Sequence, residues 1–257
     1  MDINLLVINV GNTRLAIGTF VAGELKAVKR VTHAQSADWP GAIAQAWEPI
    51  AGQGNAAVCG ASVNPTVMES LEHAVVQATG KPVEWVGREI DLPIDVRTQQ
   101  PRDTGVDRVL NIAAAYEQMG KACCVVDAGT AITVDCCNDQ GEFLGGAIAP
   151  GLAMMLDALH EKTAGLPRAE FQIPTATFGN STDSAICQGV YHGIRGMVRE
   201  LVENYAAELG AWPEVVATGG DARQLFEGWD VIHAIAPELT LYGIALAYTN
   251  HHINHKT

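Results

Sequence analysis

Leu5-Leu6-Val7-Ile8-Asn9-Val10-Gly11-Asn12-Thr13 and Cys123-Cys124-Val125-Val126-Asp127-Ala128-Gly129-Thr130-Ala131 come into register when the sequence is slid against itself by 118 residues. Each reads as a buried strand, one polar residue, and a Gly turn carrying a small hydroxyl or amide side chain. Second strands follow at Arg14 to Phe20 and Ile132 to Cys137, each closed by a polar turn, Ala22-Gly23-Glu24 and Asn138-Asp139-Gln140-Gly141. Each copy is therefore a β-hairpin. Glycine lets the backbone approach a ligand, exposed N–H groups point outward, and the preceding Asp or Asn can hold a cation or its waters. Two such turns in duplicated halves suit two jaws closing on one polyphosphate. Ordinary hairpin turns in a repeated α/β scaffold are the alternative.

Outward from the hairpins, Trp39 to Glu48 and Thr66 to Thr79 have helical character, and Ala56 to Gly60 reads as a short strand. The run Gly145-Gly146-Ala147-Ile148-Ala149-Pro150-Gly151 reads as a loop, Leu152 to Glu161 as a helix, and Ala164 to Gly179 as a second loop. Ser181 or Thr182 can cap a long helix running to about Leu209. That helix carries Gly189, Gly193 and Gly196 on nearly one face. Interior helical glycines each cost about 1 kcal/mol relative to Ala, so something is expected to pack close there, either within the chain or from a second subunit. A strand at Glu214 to Ala217 and a final helix opening at Pro237-Glu238-Leu239 complete the pattern, which divides the chain at 1–118 and 119–257.

With 257 residues, 48% hydrophobic and 18% charged, the composition is that of a folded globular protein. Its 16 Lys and Arg against 29 Asp and Glu leave a net charge of −13, which argues against nucleic acid as a partner. Phosphorylated small molecules remain open, because backbone N–H groups, a local Arg and a metal ion can hold phosphate on an acidic protein. No stretch approaches the roughly 20 apolar residues of a membrane helix, and Leu5 to Val10 lacks a basic flank and a cleavage site. The expectation is a cytoplasmic protein with no membrane partner. Cys123-Cys124 and Cys136-Cys137 invite a metal or disulfide reading, yet both lie in strand-like runs where neighbouring side chains face opposite ways. They read, with Cys59 and Cys187, as reduced core thiols. His251, His252 and His255 read as a solvated tail.

Pro101-Arg102-Asp103-Thr104-Gly105-Val106-Asp107-Arg108 precedes an apolar helical stretch, Val109 to Tyr116. Its Gly admits a ligand, Asp107 can accept a proton, and Arg108 can hold a carboxylate bidentately; a capping Asp beside a surface Arg is the plainer reading. Thr218-Gly219-Gly220-Asp221 offers another close backbone approach, suited to a flat ring or ribose, or forms a simple strand-to-helix turn. Neither Gly-x-x-x-x-Gly-Lys-Ser/Thr nor Gly-x-Ser-x-Gly occurs, which disfavours P-loop and α/β-hydrolase readings.

In order along the chain, Val10-Gly11-Asn12-Thr13, Gly105-Val106-Asp107-Arg108, Asp127-Ala128-Gly129-Thr130 with Thr133 and Asp135, Gly145-Gly146 to Pro150-Gly151, Gly179-Asn180-Ser181-Thr182 with Ala185-Ile186, and Thr218-Gly219-Gly220 resemble the type III pantothenate kinases. Pro237-Glu238-Leu239-Thr240-Leu241-Tyr242-Gly243 completes the series. The resemblance implies an α/β protein of two duplicated ribonuclease H-like (actin-like ATPase) domains with mixed sheets, binding ATP between the halves. It implies transfer of the γ-phosphoryl group to the 4′-hydroxyl of pantothenate, the first step towards coenzyme A. Asp107 would be the general base, and Thr98, Gly105, Val106 and Arg108 would line the pantothenate pocket. Asn9, Val10, Gly11, Asn12, Thr13, Arg14, Leu15 and Ala16, with Thr130 and Gly219, would hold ATP. Mg²⁺ would accompany ATP, and Asp127 would bind a monovalent cation, K⁺ or NH₄⁺. Thr182 would reach the neighbouring subunit's pantothenate, making a homodimer the functional unit. Two positions depart from the family pattern: Asn9 stands where an Asp usually positions Mg²⁺, and Thr98 where a Tyr usually contacts pantothenate. Asn9 motivates a second reading, a catalytically impaired regulatory homologue that binds nucleotide or pantothenate; another small-molecule kinase of the acetate and sugar kinase/actin-like ATPase superfamily, to which the resemblance assigns the family, is a third.

Overall fold

A computed structural model describes residues 3–254. The first of two compact units comprises residues 3–95, 100–114 and 239–254 among those described, and the second comprises 96–99 and 115–238. The first is built on β1 (Leu5–Val10), β2 (Arg14–Val21), β3 (Glu24–Thr32), α1 (Trp39–Trp47), β4 (Ala57–Ser62), α2 (Met68–Thr79), β5 (Val83–Trp85) and the start of α3 (Val106–Met119). Its sheet has the order β3-β2-β1-β4-β5, with β1 antiparallel to β2 and parallel to β4. Leu6, Ile8 and Val10 pack with Trp39, Ile43, Leu71 and Val75 of α1 and α2. Their neighbours Leu5 and Val7 face the other way, against Leu110 of α3. A strand covered on both faces is apolar throughout, which is why β1 reads as a continuous hydrophobic run.

The second unit repeats this plan with β6 (Cys123–Ala128), β7 (Ala131–Cys137), β8 (Phe143–Pro150), α4 (Leu152–Glu161), α5 (Thr182–Leu209), β9 (Glu214–Thr218), α6 (Ala222–Phe226) and β10 (Ala234–Ile235). The order β10-β9-β6-β7-β8 is the first sheet's order read from its other edge, with β6 in the place of β1. Val126, Ala128, Ile132 and Val134 form a core with Leu156 of α4 and Val190, Ile194 and Val198 of α5. The repeat read from the hairpins is thus a repeat of whole sheets.

Three expectations need correction. Gly145 to Pro150 is not a loop but most of β8, paired with β7. A Cβ on Gly146 would lie 2.2 Å from the Val134 carbonyl oxygen, so glycine there serves close strand approach. The division at 1–118 and 119–257 also differs from the structure, because α7 (Leu239–Asn254) returns to the first unit. Its Leu241, Ile244 and Ala247 join Leu5 and Val7, and Gly243 sits so close to α3 that a Cβ would be 2.2 Å from the Leu110 carbonyl oxygen. Residues 96–99 belong instead to the second unit, where the Arg97 N–H donates to the Phe143 carbonyl (2.8 Å). Finally, His251 and His252 are not tail residues: both lie in α7, and His252 Nε2 is 3.0 Å from Glu84 Oε2. His255 lies outside the described residues.

The cysteines divide as strand alternation requires. Cys123 faces Cys137 (Sγ to Sγ 3.4 Å) and Cys124 faces Cys136 (3.1 Å) on the opposite side of the β6–β7 ladder, all as free thiols. Hydrogen bonding to Cys136 and burial push the Cys124 thiol far above its usual range. Among the described residues, no helix is long and apolar enough to cross a membrane.

Candidate active site

In the first unit the β1–β2 turn is closed by the Gly11 N–H donating to the Arg14 carbonyl (3.1 Å), leaving Asn12, Thr13 and Arg14 exposed. Asn9 pairs with Ala16 across the hairpin and shares the sheet face of Leu5 and Val7. That face also holds Ala16 and Val106 in one apolar cluster, so the turn and the start of α3 lie on the same side of the sheet. At the head of α3 the Gly105 carbonyl accepts from the N–H groups of Arg108 (3.1 Å) and Val109 (3.4 Å). Asp107 stands in the first turn, half-buried, and its Oδ1 accepts from the Arg108 N–H (2.9 Å). Burial pushes the Asp107 carboxyl above its ordinary range, partly offset by that N–H and by the Arg108 charge. A Cβ on Gly105 would come within 2.9 Å of Asp107 Oδ1, so this glycine leaves the carboxylate its place.

The second unit repeats the turn one residue shorter: the Gly129 N–H donates to the Ala131 carbonyl (3.1 Å), and Asp127 pairs with Thr133. Thr130 at the tip is exposed, and its carbonyl accepts from the Gly151 N–H (3.2 Å). Strand pairing puts Asp127, Thr133, Asp135 and Thr218 on one sheet face. Asp135 is only 1% exposed, and the signal for it was a carboxylate inside the otherwise uncharged Ala131–Cys137 run. Gly219 adopts φ +94° beside Asp127; a Cβ there would lie 2.4 Å from the Ala128 carbonyl oxygen and 2.5 Å from Asp127 Oδ1. The oxygens gathered around this cradle are the hard donors that a monovalent cation takes. Thr98 is half-buried beside Gly145, and Thr182 is exposed at the first turn of α5. Ser181 caps that helix, its Oγ accepting from the Ser184 N–H (3.2 Å).

The predicted residues therefore gather in two sets. Asn9 to Ala16 and Gly105 to Arg108 belong to the first unit; Thr98, Asp127, Thr130, Thr182 and Gly219 belong to the second. Gly189, Gly193 and Gly196 are exposed, and among the described residues a Cβ on any of them would meet nothing within 4 Å. Packing among the described residues does not account for glycine on that face.

Residues 5–204 match the family model for type III pantothenate kinase. A type III pantothenate kinase of Dehalococcoides mccartyi (strain CBDB1) is 37% identical over 253 residues, covering 95% of each chain. Among solved structures, a Baf family protein of Campylobacter jejuni superimposes with a TM-score of 0.64 at 21% identity, covering 98% of this chain and 100% of that one. MreB 5 of Spiroplasma citri, bound to AMPPNP, superimposes with a TM-score of 0.54 at 11% identity, covering 100% and 99%. At those identities the two structures speak to the fold alone: the duplicated actin-like architecture that the family resemblance implied.

Proposed function

This chain belongs to the type III pantothenate kinase family, and on that premise we propose how its residues divide the work of phosphorylating pantothenate. The reaction transfers the γ-phosphoryl group of ATP to the 4′-hydroxyl and opens coenzyme A biosynthesis. Such transfer asks little covalent chemistry of a protein, so catalysis rests on alignment and on neutralising phosphate charge. The observation that carries the assignment is Asp107: a half-buried carboxylate at a helix N-terminus, made more basic by burial. An alkanol is too weak an acid to ionise beforehand, so Asp107 takes the proton as the O–P bond forms.

Arg108 holds the pantothenate carboxylate, with Gly105, Val106 and Thr98 shaping the pocket. The turn from Asn9 to Ala16 and the exposed Thr130 receive ATP phosphates, and Gly219 gives close backbone approach. Asn9 accepts Mg²⁺ through its amide oxygen or through water, and Asp127 holds K⁺ or NH₄⁺; both cations supply charge neutralisation on the phosphates. A coupled assay with ATP, Mg²⁺ and pantothenate, run with and without K⁺, is expected to show pantothenate-dependent turnover that K⁺ raises. Folded protein that turns over ATP with no dependence on pantothenate overturns the reading.

Asn9→Asp restores a carboxylate where a neutral amide is a poorer ligand for a hard cation. It is expected to lower the Mg²⁺ concentration for half-maximal rate by roughly tenfold. An unchanged Mg²⁺ titration would remove Asn9 from the metal's surroundings.

The open glycine face of α5 fits a second copy of this chain, with Thr182 at the head of the same helix reaching the partner's pantothenate. Gly193→Leu adds helix propensity, by somewhat under about 1 kcal/mol, and has room in the isolated chain. Sedimentation velocity should therefore show a folded monomer, with kcat/KM reduced about tenfold or more by loss of a substrate hydrogen bond. A dimer that survives Gly193→Leu places the interface elsewhere.

A further inference from the structure

We propose that Arg30 is a further phosphate-binding residue of the ATP site, its guanidinium donating to oxygens of the triphosphate beside Asn9; the inference rests on the kinase reading above. Arg30 lies in the edge strand β3, outside the glycine turns.

Strand register puts Arg30 on the face where a phosphate ligand is needed. Asn9 of β1 stands opposite Ala16 of β2, and Ala16 stands opposite Arg30 of β3. Directly opposite residues in antiparallel strands share a face, so the three form one row on the side of the sheet that carries Val106 and the start of α3. Alternation along β3 agrees. Val28, two residues before Arg30, packs into the cluster of Leu5, Val7 and Val106, whereas Val31 packs with Trp39 and Ala42 of α1 on the opposite face. Lys29 also points to that opposite face, where its ammonium donates to Gln45 of α1.

Packing within the first unit closes the sheet up to this row. One row further in, Val7 is buried, and a Cβ on Gly18 would lie 3.1 Å from Leu241 Cδ1 of α7. At the next row Asn9 and Ala16 are half-buried and Arg30 is exposed. This is the carboxyl end of the parallel strands β1 and β4, the end at which open α/β sheets bind ligands. Two strand spacings, about 10 Å, separate the backbones of Asn9 and Arg30. Between them Ala16 contributes only a methyl group, so an extended Arg side chain can lie over it towards a ligand seated at Asn9.

Charge favours the same assignment. The amide of Asn9 is a poorer ligand for Mg²⁺ than a carboxylate, so a tightly held cation meets less of the triphosphate's charge. In a chain of 16 basic and 29 acidic side chains, two arginines gather on this face: Arg14 pairs with Thr32, two residues beyond Arg30, and so lies on its diagonal. A guanidinium presents paired donors in a fixed plane that phosphate oxygens match.

Calorimetric titration of full-length protein with ATP in EDTA, and then with ATP and Mg²⁺, tests the assignment. Without Mg²⁺, Arg30→Gln is expected to weaken ATP binding at least tenfold, by loss of a charge-assisted hydrogen bond, and Arg30→Lys to weaken it less. With Mg²⁺ the loss should shrink, because the cation meets part of the same charge. Arg30 is exposed, so both variants should keep the wild-type Tm. Lys29→Gln is the matched control: it removes one positive charge from the adjacent residue on the other face and should leave both affinities unchanged. Arg30→Gln that binds Mg²⁺-free ATP as tightly as wild type, or Lys29→Gln that loses as much as Arg30→Gln, overturns the proposal. Wild type that binds ATP without phosphorylating pantothenate overturns the substrate reading and leaves Arg30 to the titration; wild type that binds no ATP overturns both.

Discussion

Asp107→Asn is expected to lower kcat by about 10²–10⁴-fold, the usual contribution of a positioned general base, while ATP still binds and the protein melts no lower than wild type. The unchanged stability follows from the sign of the carboxyl's shift. Burial raises the Asp107 pKa in the folded protein, so folding disfavours the ionised form. The group's contribution is then most favourable below its unfolded pKa and declines as pH rises through the folded one. Above that it stays as a constant penalty at neutral pH, and Asn escapes it. A large loss of turnover without loss of Tm therefore isolates proton transfer from folding.

The same shift sets the acid limb of the rate. Only ionised Asp107 accepts a proton, so kcat/KM should fall on acidification through a pKa above the ordinary aspartate range. The ATP-binding turns carry no such group at Asn9, which stays neutral throughout. An acid limb at an unperturbed aspartate value, or one that persists in the residual activity of Asp107→Asn, would move the base elsewhere.

What the sequence conveyed depended on how local the cause was. The β1 and β6 strands and their Gly turns were legible because both faces of each strand are buried and the turn chemistry lies within nine consecutive residues. The third strand of each sheet was not. β3 is an edge strand carrying Lys26, Lys29 and Arg30, so it lacks the apolar pattern of its neighbours. β8 contains Gly145, Gly146 and Pro150, which read as punctuation, although Gly146 answers to the nearby Val134 carbonyl. The membership of α7 in the first unit is a tertiary fact, carried by Leu241, Ile244 and Gly243 against residues over 100 positions earlier. Asp107 and Asp127 were found because one opens a helix and the other repeats Asn9; Arg30 was missed because its place in the row of Asn9 exists only once β3 pairs with β2.

Gly219→Ala is expected to be strongly destabilising, because backbone strain and crowding act together at that position. The backbone there has φ +94°, which costs a residue with a Cβ about 1–2 kcal/mol, and overpacking typically adds about 1–3 kcal/mol. The added carbon would lie 2.4 Å from the Ala128 carbonyl oxygen and 2.5 Å from Asp127 Oδ1, neither of which is the far end of a long flexible side chain. The Ala128 carbonyl is further held by the Asp221 N–H (3.0 Å), so it cannot retreat without breaking that bond. A total of about 2–5 kcal/mol corresponds to a Tm lowered by roughly 5–15 °C for a chain of this size. Gly228→Ala is the matched control: its φ of +71° imposes the backbone strain, while a Cβ there meets nothing within 4 Å among the described residues. The difference in Tm between the two variants measures chiefly the crowding of Asp127 and Ala128, since both positions carry positive φ. Displacing Asp127 should also raise the K⁺ concentration for half-maximal activity at temperatures where Gly219→Ala remains folded, an effect Gly228→Ala should lack. Equal melting of the two proteins, with equal K⁺ dependence, would show that Gly219 does not shape the place proposed for the cation.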